Sequence, residues 1–197
     1  VKTGRFAAAV ALVAVAVWMW LAMLLTHELG HVVAAMFTGG SIVVAVELRP
    51  GLLPHTLVNP NPQPAVVLWA GFVSGWVLPQ MTAPAWRIEA GQVGPVLRAW
   101  AAFCLLVGGA YLAAGGAERL TDTGQLLAAG WPHTLLVLVG VAVAALGYAW
   151  SRSAWIALAR HIEVKPVTWR VAIAWWCWLA VWAAGQGVLH ATVQPAR

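Results

Sequence analysis

Long stretches without charge alternate along this chain with short polar clusters, and the alternation sets the elements it predicts. From Phe6 to Thr26 no residue is charged, and the apolar pattern continues through a polar cluster at 27–31 as far as Phe37. A helix over that whole length would run about 48 Å at 1.5 Å per residue, longer than a hydrocarbon core of roughly 30 Å, so it must tilt, kink or protrude. Four further apolar segments follow at about 65–83, 97–114, 133–150 and 170–190, each approaching the length that crosses a bilayer. Trp86, Trp100, Trp131, Trp150 and Trp169 lie at or near their ends, where amphipathic indoles prefer the headgroup level. The pattern predicts an all-α polytopic membrane protein with about five transmembrane helices, folded as one membrane-embedded domain over 1–197.

Between the first two spans the pattern changes period. Gly39-Gly40 ends the first helix, and Ser41 to Leu48 is β-branched, alternating material closed by Pro50-Gly51, which predicts a short β-strand or hairpin at the membrane surface. The run Asn59-Pro60-Asn61-Pro62-Gln63-Pro64 predicts an extended loop, because each proline pushes its predecessor out of the helical region.

Composition sharpens this reading. Of the residues, 62% are apolar and only 9% charged, against about 25% charged in a typical soluble domain. A soluble globular fold and a disordered chain are both excluded. The net charge of +5 does not point to nucleic acid, because the basic residues flank apolar runs instead of forming a stripe. With the N-terminus in the cytoplasm, the inner segments hold Lys2, Arg5, Arg87, Arg98, Arg152, Arg160, Lys165 and Arg170, and the outer ones hold Arg49, Arg119 and Arg197. That bias predicts an N-in, C-out chain. Lys2 and Arg5 before an apolar run also resemble the start of a signal peptide, but the run is too long for an h-region and offers no small-residue cleavage pattern. Cys104 and Cys177 fall inside apolar segments without C-x-x-C spacing and are expected to act as small hydrophobes.

The polar cluster in the first span carries the chemistry. His27, Glu28, Leu29, Gly30 and His31 form an HExxH sequence. Histidines four residues apart on a helix lie about 40° apart around the axis and one turn along it, so both imidazoles can reach one cation. Glu28 sits about 100° round from His27, placed to take a proton from a metal-activated water instead of serving as the third ligand. With six His and five Glu in the chain, chance alone yields HExxH in roughly one sequence in two hundred. A carboxylate at the bilayer centre costs about 3 kcal/mol on insertion scales, so ionisable groups there are functional candidates with partners. A catalytic zinc takes three protein ligands and keeps a fourth position open. Asp122, the single aspartate, is the leading third ligand: it lies between the third and fourth spans, on the side toward which the first helix carries its cluster. Its bland alternative is a helix N-cap or a solvated loop charge. Glu118, His133 and His55 are the competing ligands.

The run Thr26-His27-Glu28-Leu29-Gly30-His31-Val32-Val33-Ala34-Ala35, with the Gly39-Gly40 break and the strand-like segment after it, resembles the site-2 protease family of intramembrane zinc metalloproteases. Ala70-Gly71 in the second span resembles that family's small-residue helix packed beside the metal, and Asp122 with Gly124 resembles its Asp-Gly neighbourhood, here with Thr123 between the two. The family's asparagine in the second span is replaced near Ser74 and Gly75. The resemblance implies a hydrolase that cleaves membrane-protein or peptide substrates in or near the lipid bilayer, with Zn2+ on His27, His31 and Asp122 and Glu28 as the catalytic base. It further implies a multi-pass protein of a bacterial cell membrane, its site open to the cytoplasm, whereas the charge bias places the cluster nearer the outside. A helical substrate hides its carbonyls, and the segment 41–48 could unwind one by strand addition. The alternative from another class is a non-proteolytic membrane protein that uses the cluster for metal binding, transport or regulation.

Overall fold

A computed structural model describes residues 2–47, 55–87, 93–164 and 168–193. Helix α1 spans Lys2–Thr38, followed by strands β1 (Ile42–Glu47) and β2 (His55–Val58), then helices α2 (Pro64–Gln80), α3 (Val93–Ala114), α4 (Asp122–Ala128), α5 (His133–Val164) and α6 (Trp169–Val193). Short 3-10 turns at Ala83–Arg87 and Gly115–Ala117 follow α2 and α3. Among the described residues, four stretches are helical, long and apolar enough to cross a membrane: Phe6–Thr38, Pro64–Ala85, Val93–Ala117 and His133–Arg160. A fifth, shorter apolar stretch, Trp169–Val181, opens α6. The architecture is the all-α, multi-helix arrangement expected, with a hairpin after the first helix.

Helix α1 stops where its sequence says it must. Gly39 adopts φ +75°, a left-handed conformation that costs glycine nothing, and the Gly40 N–H returns to the Ala35 carbonyl at 2.8 Å. That cap aims the chain into β1, which pairs antiparallel with β2 in the register Ile42 to Val58, Val44 to Leu57 and Glu47 to His55, with irregularities between these pairs. The Asn59 N–H donates to the Ser41 carbonyl at 2.8 Å and extends the pairing beyond the strands. The proline run then ends in Pro64, which starts α2 at a position whose missing N–H costs nothing.

Three packed clusters hold the helices together, the smallest pairing Ala11 of α1 with Ala172 of α6. Val15, Met19, Ala22 and Met23 of α1 meet Val96, Ala99, Trp100 and Cys104 of α3, with Ala154 and Leu158 of α5. Cys104 is a buried free thiol here, while Cys177 is a free thiol exposed on α6. The second cluster matters more for the site: Leu68 and Phe72 of α2, Leu112 of α3, Leu126 of α4 and Leu136 of α5 close on one another. It anchors the short α4 under the polar end of the bundle. Helices α3 and α5 approach backbone to backbone along Gly109, Gly140 and Gly147, as small residues allow in membrane packing.

Helix α5 continues to Val164, past the end of the apolar segment at 133–150. The polar residues there mark the end of the apolar pattern but do not break the helix. The Ser151 hydroxyl donates to the Tyr148 carbonyl and the Ser153 hydroxyl to that of Trp150, both at 2.8 Å, so each is satisfied within the turn below.

Candidate metal centre

One turn of α1 presents both histidines to α2 and α4. The His27 Nε2 and His31 Nε2 atoms are 3.2 Å apart, and Asp122 Oδ2 lies 2.7 Å from the first and 3.5 Å from the second. A tetrahedral zinc with bonds near 2.0 Å requires neighbouring ligand atoms about 3.3 Å apart. The three observed separations bracket that edge. The Glu28 carboxylate completes the cluster, with a ligand-type atom within 4.8 Å of those of both histidines. The expected convergence of residues from the first span with an aspartate beyond the third is therefore a feature of the fold. Among the described residues, His55, Glu118 and His133 form no such group.

His31 is held by a second hydrogen bond. Its Nδ1–H donates to the Val67 carbonyl of α2 at 2.8 Å. That bond selects the tautomer whose Nε2 lone pair faces His27 and Asp122, which is how a ligating imidazole is usually oriented. A lone pair and a carboxylate oxygen turned toward each other at 3.5 Å suit a shared cation. His27 is fixed by edge-to-face rings instead, with centroids 5.3 Å from Phe72 and 6.0 Å from Tyr111.

The local structure around Asp122 removes its bland alternative. Thr121 is the N-cap of α4: its Oγ1 accepts from the Gly124 N–H at 3.0 Å and donates to the Glu118 and Gly115 carbonyls. Asp122 is the first residue inside the helix, and its carboxylate is free to reach the histidines. Thr123, which separates it from Gly124, is buried. A Cβ on Gly124 would stand 2.0 Å from the Glu118 carbonyl oxygen, so the glycine is what lets the turn fold back tightly. Burial would push the Asp122 carboxyl up, but its contacts with His27 and then His31 outweigh it and hold the group well below the usual carboxylate range.

Burial is graded across the cluster. Glu28 is 4% exposed and His31 5%, whereas the side chains of His27 and Asp122 keep 15% and 17%. The cluster is thus more open on the His27–Asp122 side, and Glu28 is its most buried member. Thr56 of β2 donates its hydroxyl to Glu28 Oε2 at 2.7 Å. This contact is absent from the sequence reading, as is Tyr111, whose hydroxyl accepts from the Asp122 N–H at 3.3 Å. Neither carries a motif; only the phase of an alternating strand and of a helix could have pointed to them.

Helix α2 supplies the floor, as its small residues suggest. A Cβ at Gly71 would lie 2.3 Å from His31 Cε1, 2.6 Å from its Nε2 and 3.0 Å from His27 Nε2. The ring of His31 cannot swing away without losing its bond to Val67. Gly71→Ala is therefore expected to weaken any divalent-metal binding at this cluster about tenfold or more and to destabilise the fold by about 1–3 kcal/mol through overpacking, read by chelator competition and thermal unfolding. Ser74 donates to the Thr26 carbonyl at 2.6 Å and ties α2 to α1 beside His27.

Comparison of the chain with family models, with curated proteins and with solved structures gave no match.

Proposed function

We propose that this chain is an intramembrane zinc metalloprotease that hydrolyses peptide bonds of membrane proteins in or near the bilayer. The observation that carries the reading is the triangle of His27, His31 and Asp122 ligand atoms at 2.7–3.5 Å, with the Glu28 carboxylate beside it, at the end of an apolar helix. The resemblance of the HELGH run to the site-2 protease family points the same way.

Bound to these three side chains, zinc supplies a water acidified toward neutrality and a Lewis acid for the scissile carbonyl. Glu28 accepts the proton of the attacking water on its carboxylate and returns it to the leaving nitrogen. Burial of Glu28 and His31 keeps bulk water from the back of the site, while the partly open His27 and Asp122 admit the substrate. The β1–β2 hairpin follows directly on the helix that carries the histidines, so an extended substrate segment added to its edge would lie near the cluster.

The test uses the whole chain purified in detergent or reconstituted in vesicles. It is expected to carry about one zinc per chain and to cleave members of a panel of single-span peptides. Cleavage should be lost on chelation and restored by added zinc. Protein that retains no zinc overturns the reading, and zinc retained without cleavage of any panel member favours metal binding, transport or regulation instead.

A further inference from the structure

We infer that Thr56 is a positioning residue for Glu28: the second strand of the hairpin orients the carboxylate that the first helix supplies. The inference rests on the protease reading and deepens it. Glutamate has three rotatable side-chain torsions, and a base must present one oxygen to the water while its other oxygen is held. In this protein Glu28 Oε2 accepts from the Thr56 hydroxyl at 2.7 Å. Glu28 is 4% exposed, so a bond lost here is not readily replaced by bulk water.

The strand is built to hold that hydroxyl still. Threonine is β-branched and stiff at χ1. Along β2 exposure alternates, with His55 and Leu57 outward and Thr56 and Val58 toward the protein. The register Val44 to Leu57 and Glu47 to His55 fixes this phase, and a slip of one residue would turn Thr56 away from the helix. The glycine cap of α1 and the Asn59 bond to Ser41 then fix the hairpin on the helix end. A residue distant from Glu28 in sequence thus reaches it through two strands and one cap. Any substrate segment that docks on this hairpin contacts the same element that sets the base.

The experiment compares Thr56→Val, which removes only the hydroxyl, with Thr56→Ser, which keeps it. Thr56→Val is expected to lower kcat about 10- to 100-fold, the worth of a hydrogen bond to a charged group, with KM and zinc content unchanged. Thr56→Ser should restore most of the rate. A readout independent of activity is a double-mutant cycle on thermal unfolding of the metal-free protein, pairing Thr56→Val with Glu28→Ala, in which the two effects should be non-additive. Wild-type kcat in Thr56→Val, or strict additivity in the cycle, overturns the inference. So does equal impairment of the serine variant, which would mean a packing role. If Glu28→Gln itself still hydrolysed peptide, the failure would lie in the base assignment and not in Thr56.

Discussion

If the proposed function holds, Asp122→Ala protein is expected to lose zinc and with it all hydrolysis, while remaining folded. Two histidines alone form a weak, neutral clamp; the aspartate contributes the negative charge and closes the triangle at 2.7 and 3.5 Å. Outer-shell partners of metal ligands are themselves worth 10–100-fold in affinity, so removal of a direct ligand should cost at least about 100-fold. Folding should survive because Asp122 is not the cap of α4. Thr121 performs that role, and Leu126 anchors the helix in the core between Leu112 and Leu136. Asp122→Asn keeps the shape without the charge and should fall between wild type and alanine. The measurement is zinc affinity by chelator competition, with circular dichroism to check the fold and His27→Ala as the reference for a lost ligand. Zinc held at wild-type affinity by Asp122→Ala would remove the aspartate from the site and leave Glu28 as the third ligand.

What the sequence disclosed and what it withheld follow from the range of the interactions involved. The His27–His31 clamp was legible because helix geometry alone places side chains four apart on one face. Asp122 was legible in a weaker way, as the single aspartate on the correct side of the predicted spans. Its arrival within hydrogen-bond distance of His27 depends on Leu126 seating against Phe72 and Leu112, a three-helix contact that no local pattern encodes. The hairpin was anticipated from the change of period after Gly40, but not the partner it gives Glu28. That partner depends on strand register, and the segment joining the strands, 48–54, lies outside the described residues. The apolar segment at 133–150 lies within α5 but does not mark its end, since serine hydroxyls that bond within their own helix let it continue beyond.

Glu28→Gln is expected to do the reverse of Asp122→Ala in one respect: it should keep zinc at wild-type stoichiometry and still lose hydrolysis by about a thousandfold, within the 10²–10⁴ range for a general base. The substitution preserves volume and leaves an amide oxygen able to accept from Thr56, so the helix end and hairpin should pack as before. What the amide lacks is the capacity to take a proton at neutral pH. The pairing of the two variants separates ligand from base more cleanly than either alone. Glu28 lies beside both histidines within 4.8 Å, near enough to be mistaken for a ligand, yet Asp122 Oδ2 stands closer to His27 Nε2 than the two histidine nitrogens stand to each other. If the aspartate holds the metal, the glutamate is released for proton transfer, and zinc content will be insensitive to its charge. A Glu28→Gln protein that comes out of purification without zinc would assign the carboxylate to the metal and leave the water without a base among the cluster residues.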